Sequence, residues 1–303
     1  MIQVRARSFL LLLSLCLVAC GKATAPTAAP PPESAYLVAV NRPLQYFAQR
    51  LLGPEADVRM PAPAGTDPAA WSPSVQDVQA LQGAQLVLLN GAGYSPWLAT
   101  VALSDSRLVV TAADRQRWIQ LQDQVTHSHG PEGEHAHGGH AFTTWMDLDL
   151  AGAQAQALSE ALQGHFPDQA AAIAERARAL QAELQALDRA YAAAAAQLQG
   201  RQLIYSHPVY QYFEARYGLP GLSLHWEPDV MPDDNHWAAL QGRLEEQPLF
   251  VWEAAPDPAI AARLGALGIE QVTVDPGANY SGDWLALQRD NVRALQQPAK
   301  TGP

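Results

Sequence analysis

Residues Asp168 to Leu198 run without a single glycine or proline and are mostly Ala, Leu, Gln, Glu and Arg. A run of this kind predicts one uninterrupted helix of roughly 46 Å at 1.5 Å per residue, with Asp168 behind Pro167 as its cap. Few globular helices are that long, so the rest of the chain has to be arranged around it. A heptad seam would instead pair two copies of the helix, but alanine obscures any repeat.

On both sides of this helix the apolar pattern alternates between strand and helix. Before it, Tyr36 to Val40 reads as a buried strand. Pro43 to Leu52 carries Leu44, Phe47 and Leu51 at helical spacing, and Val58 and Met60 lead into a Pro/Gly-rich loop from Pro61 to Pro73. Val75, Val78 and Leu81 mark a short helix, and Leu86 to Leu89 is a continuous apolar strand. After it come strand Leu203 to Tyr205, helix Val209 to Tyr217, strand Leu222 to His225 and helix Asn235 to Leu244. Strand Phe250 to Glu253, helix Pro258 to Leu267 and strand Val272 to Asp275 follow. Such alternation predicts an α/β fold of two lobes, each with a parallel sheet flanked by helices. About 270 residues of folded body also exceed what one core usually holds.

Five of the nine histidines fall between His127 and His140, in a segment that also contains Gly130, Pro131, Gly133, Gly138 and Gly139. Neutral imidazole is the commonest protein ligand for zinc and related metals. The pairs His127/His129 and His135/His137, on so pliable a backbone, are therefore candidate metal ligands. Glu132 and Glu134 read as solvated, or as acceptors that orient imidazole N–H groups.

Arg5 and Arg7 precede an apolar stretch from Phe9 to Val18 that is too short to span a membrane and ends in Leu17-Val18-Ala19-Cys20-Gly21. A small residue followed by cysteine at that point predicts a lipoprotein signal over 1–19 and lipidation of Cys20. Residues 20–34, rich in Ala, Pro and Thr, read as a stiff tether. The folded body then divides into an N-terminal lobe at 35–166, the long helix at 167–199 and a C-terminal lobe at 200–303. The only other cysteine, Cys16, leaves with the signal, so neither a disulfide framework nor a thiolate metal site is available. The net charge of −11 becomes −13 once Arg5 and Arg7 are removed. That balance excludes nucleic acid and anionic lipid as partners and favours small cations.

Three segments carry a family likeness. They are Asn90-Gly-Ala-Gly-Tyr-Ser-Pro-Trp97 after a strand, Tyr205-Ser-His-Pro-Val-Tyr-Gln-Tyr-Phe-Glu-Ala-Arg-Tyr217, and Val274-Asp275-Pro276 followed by Asp283 to Leu295. In this order and spacing the chain resembles the metal-specific solute-binding lipoproteins of bacterial ABC importers, the zinc- and manganese-uptake group. The resemblance covers nearly the whole mature chain. It implies two α/β lobes joined by one long helix, a divalent cation in the cleft between them and delivery to a membrane permease. It also implies ligand roles for His207 and Asp275. The crevice rule for parallel sheets places both, and Glu253 with them, at strand C-terminal ends.

Two departures from the family pattern are plain. Where the family has a histidine after Asp-Pro in the first lobe, this chain reads Asp67-Pro68-Ala69, and where a second histidine precedes a Trp it reads Thr143-Thr144-Trp145. Since zinc needs three or four N, O or S donors, His127, His129, His135 and His137 are expected to replace the missing imidazoles. His225, Glu227 and His236, beside Trp226, read as ordinary surface or loop residues.

The expected function is binding of a divalent transition metal, zinc first and with manganese and copper compatible, by a lipid-anchored monomer on the periplasmic face of a bacterial envelope. The expected delivery partner is an ABC permease. A metal buffer or chaperone that docks no permease is the competing reading. A zinc hydrolase lacks support, because no His-Glu-x-x-His helix or nucleophile elbow is present.

Overall fold

The structure, a computed structural model, describes residues 35–63, 65–121 and 139–298, together with the backbone of 126–128 and 134–136. The signal over 1–19, Cys20, the tether over 20–34, and His129 and His137 lie outside the described residues, as do the side chains of His127 and His135.

Four short strands build the first sheet: β1 (Leu37–Ala39), β2 (Val58–Arg59), β3 (Leu86–Leu89) and β4 (Leu108–Val110), all parallel in the order β2-β1-β3-β4. Helix α1 (Arg42–Leu52) begins where Asn41 accepts a hydrogen bond from Leu44 N, and α2 (Val75–Gly83) opens on a reciprocal capping box between Ser74 and Asp77. The segment after β4 rises as an antiparallel hairpin, β5 (Thr126–Ser128) with β6 (Glu134–Ala136), in which His127 lies opposite His135 in register.

Asp147 then caps an unforeseen helix, α3 (Leu148–His165), whose alanine-rich sequence gave little periodic signal. The expected long helix is α4 (Ala170–Ala196), about 40 Å long. Its start differs from the expectation. Pro167–Gln169 form a 3₁₀ turn, so Asp168 sits in that turn and Gln169, without a side-chain cap, precedes the helix. The buried residues Ile173, Ala177, Leu180, Leu184, Leu187, Tyr191 and Ala194 alternate at spacings of four and three. A heptad seam therefore exists within the alanine, but α4 packs it against this chain's own α3, α1 and α8 (Trp284–Gln296).

The second sheet holds β7 (Leu203–Tyr205), β8 (Gly221–Ser223), β9 (Leu249–Trp252) and β10 (Glu270–Thr273), parallel in the order β10-β9-β7-β8. Helices α5 (Gln211–Tyr217), α6 (Asp234–Gln241), α7 (Pro258–Ala266) and α8 complete the lobe. Both faces of the central strands β7 and β9 are buried, as parallel sheets require. Leu203, Tyr205, Leu249 and Val251 join the main core, which continues into the N-terminal lobe. The alternate residues Ile204, Phe250 and Trp252 join a separate cluster with Trp226, Trp237 and Ile260. Strand β4 was also unforeseen, and while β3 and β7 keep their expected bounds, β8, β9 and β10 end one or two residues early. Thus β9 stops at Trp252 and β10 at Thr273, which leaves Glu253 and Asp275 just beyond the strands.

One buried polar network fixes the N-terminal wall of the region between the lobes. Asn90, just past β3, accepts through Oδ1 from Gln154 Nε2 at 3.0 Å and from Thr144 Oγ1 at 3.2 Å, and its Nδ2 donates to the Phe142 carbonyl at 2.9 Å. Removing one member strands the others without water. Asn90→Ala is expected to destabilise the protein by about 3 kcal/mol in a urea melt, since buried unmatched polar groups cost about 1–3 kcal/mol each. A loss below about 1 kcal/mol would mean that the network closes around water.

Candidate metal centre

The site is assembled by the carboxyl ends of the second sheet. Past β7, the buried Ser206 donates its N–H to Val251 O at 2.9 Å, accepts Trp226 N at 2.9 Å through its carbonyl, and accepts Glu253 N at 3.2 Å through Oγ. These three bonds place the residues after β7, β8 and β9 side by side. His207, 3 % exposed, follows immediately. Its Nδ1 lies 3.0 Å from Glu253 Oε1 and its Nε2 3.4 Å from Glu227 Oε1. One side-chain nitrogen or oxygen from each of His207, Glu227 and Glu253 falls within 4.8 Å of the others, a spacing that could hold a metal ion. Trp226 anchors the Glu227 segment, with its ring 4.8 Å from that of Trp237 and 5.6 Å from that of Phe250. The His225 ring lies edge-on to His207 at 6.2 Å.

Asp275 lines the same cleft outside that trio. Its backbone is clamped by Asn291, which accepts Asp275 N at 3.1 Å and donates to Asp275 O at 2.8 Å, while Asp275 Oδ1 accepts Gly277 N at 2.7 Å. Burial, reinforced by the charge of Glu253, lifts the Asp275 carboxyl above its ordinary range. For His207, burial opposes protonation, but the bonds to Glu227 and Glu253 and their charges outweigh it and raise the imidazole to about 10. Without metal, His207 is thus an imidazolium held between two carboxylates. A cation entering here replaces a proton.

The opposing wall comes from the N-terminal lobe and encloses with it a cleft of about 640 Å³ lined by Asp67, Tyr94, Phe142, Thr143 and Trp145 among others. Hydrogen bonds tie the walls together: Trp145 Nε1 to Pro276 O at 2.8 Å, Thr143 Oγ1 to Val209 O at 2.6 Å and Tyr212 Oη to Ala141 O at 3.1 Å. Neither position from which the family histidines are missing offers an imidazole. Ala69 is fully buried and has no ligating atom, and the Thr143 hydroxyl donates its proton to the Val209 carbonyl. The His-rich hairpin starts from this wall, because Leu121 N bonds Gly139 O at 2.8 Å and Ala141 N bonds Ile119 O at 2.9 Å, and Leu121 and Ala141 both line the cleft.

Of the residues singled out in the sequence, His207, Asp275 and Glu253 therefore meet in one cleft. His236 does not, being exposed and paired with Asp233 at 2.7 Å. Glu227 escaped sequence reading because the Trp-Glu-Pro-Asp segment looked like a loop. The available signal was the same crevice rule, applied past β8 as it was past β7 and β9.

Two lobes joined by one long helix, with a cluster of side chains able to hold a metal on one wall of the intervening cleft, define a two-lobed solute-binding architecture. The chain belongs to the family of the periplasmic component A of the zinc-uptake complex, ZnuA, whose model matches residues 37–298. It is 25 % identical over 283 residues to the zinc-binding lipoprotein AdcA of Streptococcus pneumoniae, covering 86 % of this chain and 55 % of that protein. The chain thus spans about half the length of the AdcA relatives. It is 24 % identical over 308 residues to the high-affinity zinc uptake system protein ZnuA of Bacillus subtilis, covering 93 % of each. The Zn(II)-bound ZnuA-like domain of Streptococcus pneumoniae AdcA shares the fold at a TM-score of 0.73 and 20 % identity, over 87 % of this chain and 98 % of that one. A crystal structure of ZnuA does so at 0.69 and 20 %, over 89 % of this chain and all of that one.

Proposed function

We propose that this protein binds a divalent transition metal, zinc foremost, on the outer side of the cytoplasmic membrane and hands it to an ABC-type permease. The observation that carries the reading is the placement of His207 between Glu253 and Glu227, with Asp275 in the same cleft, at the carboxyl ends of a parallel sheet. Membership of the zinc-uptake family and the zinc-binding names of the relatives support zinc as the cargo. His207 and Asp275 serve as ligands from the C-terminal lobe. His127, His129, His135 and His137, on a hairpin rooted in the opposite wall, complete the coordination. An extended chain advances about 3.3 Å per residue, so the seven positions from Gln120 to His127 span at most about 23 Å, a reach comparable to the cleft.

The protein works as a monomer tethered to the envelope by lipid on Cys20, and the cleft serves capture rather than turnover. A metal buffer that docks no permease is the second reading, favoured by the missing imidazoles at Ala69 and Thr143; zinc uptake that requires a permease in intact cells separates the two.

His207→Ala is expected to lower zinc affinity at least tenfold, about 1.4 kcal/mol, in a calorimetric titration. Unchanged affinity at the same stoichiometry would place the metal elsewhere. Zinc-dependent hydrolysis of ester or phosphate substrates, abolished by the same substitution, would reverse the binding-only reading.

A further inference from the structure

The cleft is far larger than an ion requires. Zinc holds its donors about 2.0–2.3 Å away, whereas a cavity of 300–1,000 Å³ is the size that accommodates a small organic molecule. This one measures about 640 Å³. Its walls combine two chemistries. Tyr94, Leu121, Phe142, Trp145, Val209 and Pro276 are largely apolar. Against them stand five carboxylates, Asp67, Glu227, Asp229, Glu253 and Asp275, with no Lys or Arg among the described lining residues.

The C-terminal lobe brings His207, Glu227, Glu253 and Asp275 to the cleft, whereas on the other wall Ala69 and Thr143 carry no nitrogen donor and Asp67 alone of the described residues offers a carboxylate. The Tyr94 hydroxyl is buried on the cleft wall without a hydrogen-bond partner among the described residues. A buried donor of this kind calls for an acceptor from a guest.

We infer that the cleft takes its metal together with a small nitrogen-donor co-ligand of the histidine type, whose imidazole and amine fill the coordination positions facing the N-terminal lobe. This rests on the reading of the cleft as a metal site. A one-to-one complex of Zn²⁺ with deprotonated histidine carries a net charge of +1, which suits an acid-lined cleft. A polycarboxylate chelate such as zinc citrate is anionic and is repelled. The co-ligand's carboxylate accepts the Tyr94 hydroxyl, which burial and the nearby charge of Asp67 keep protonated. Where no such co-ligand is present, those positions are left to the hairpin imidazoles of the proposed function.

The test incubates the full chain with zinc and isotopically labelled L-histidine, removes free ligand by rapid gel filtration, and measures both by mass spectrometry. Equimolar retention of zinc and histidine is expected, with histidine held only when zinc is present. Tyr94→Phe should lower the retained histidine-to-zinc ratio at least tenfold at limiting histidine, and citrate in place of histidine should strip zinc without being retained. Zinc retained alone, with histidine acting only as a competitor, overturns the co-ligand and leaves the metal-binding function standing. Failure to retain zinc under either condition overturns both. Histidine retained equally without zinc makes the cleft an amino-acid site and overturns the inference. An unchanged ratio in Tyr94→Phe overturns the assignment of the co-ligand to this wall.

Discussion

Between pH 6 and pH 9 the zinc affinity of this protein is expected to rise about tenfold per pH unit, roughly a thousandfold in all, because the ion must displace the proton on His207. Glu227 and Glu253 raise that imidazole to about 10, so the competing proton is present throughout the range. In the metal-free protein the sign reverses. The folded-state value lies above the unfolded one, near 6.5, so protonation of His207 stabilises the fold fully below pH 6.5. That stabilisation disappears as the pH rises towards 10. The loss amounts to at most about 5 kcal/mol by the shift, reduced to the extent that water screens the two partly exposed glutamates. Competition against a chromophoric chelator, corrected for the chelator's own titration, measures the affinity. Melting of the metal-free protein measures the stability. An affinity that levels off above pH 7 would mean that His207 has an ordinary imidazole pKa and that the clamp does not hold its proton. Glu227→Gln with Glu253→Gln should move the whole profile to lower pH.

Replacing His127, His129, His135 and His137 together by alanine is expected to lower zinc affinity at least a hundredfold, about 2.7 kcal/mol, in buffer free of nitrogen ligands. His207 is the one imidazole among the described cleft residues, and the opposite wall supplies none at Ala69 or Thr143, so the nitrogen donors that zinc favours come from the hairpin. Single substitutions should cost much less, since His127/His129 and His135/His137 present equivalent pairs and one can stand in for another. The quadruple replacement keeps the hairpin backbone, so circular dichroism and melting temperature should stay near those of the parent. Parent-level affinity in the quadruple variant would make the hairpin a collector for a site closed by Glu227 and Glu253.

These expectations depend on local signals of unequal strength. Helix α4 was legible because no glycine or proline interrupts it, and β3, β7 and β9 because four-residue or shorter apolar runs between turn residues suit buried parallel strands. Helix α3 was not, since Ala, Gly and Gln at its face give no periodic contrast, and strand β4 was too short to stand out from its loop. For the site, His207 and Asp275 could be placed from their order after strands. The pH window could not. Ordinary histidines predict loss of affinity below about pH 6, whereas burial between two glutamates moves the His207 proton several units higher.

The sequence by itself determined the alternation of strand and helix, the unbroken continuity of the spine, and the residue types that follow each strand of the second lobe, because backbone propensity and apolar period are local properties of the chain. Tertiary structure alone decided that Glu227 would face His207. That contact depends on Ser206 holding three strand ends in register and on Trp226 packing beneath the loop, and no spacing along the chain encodes it. Tertiary structure also decided that the heptad seam of α4 would be covered by α3 from the same chain, because a periodic apolar stripe specifies that it must be buried and leaves its partner to whichever surface the fold brings against it.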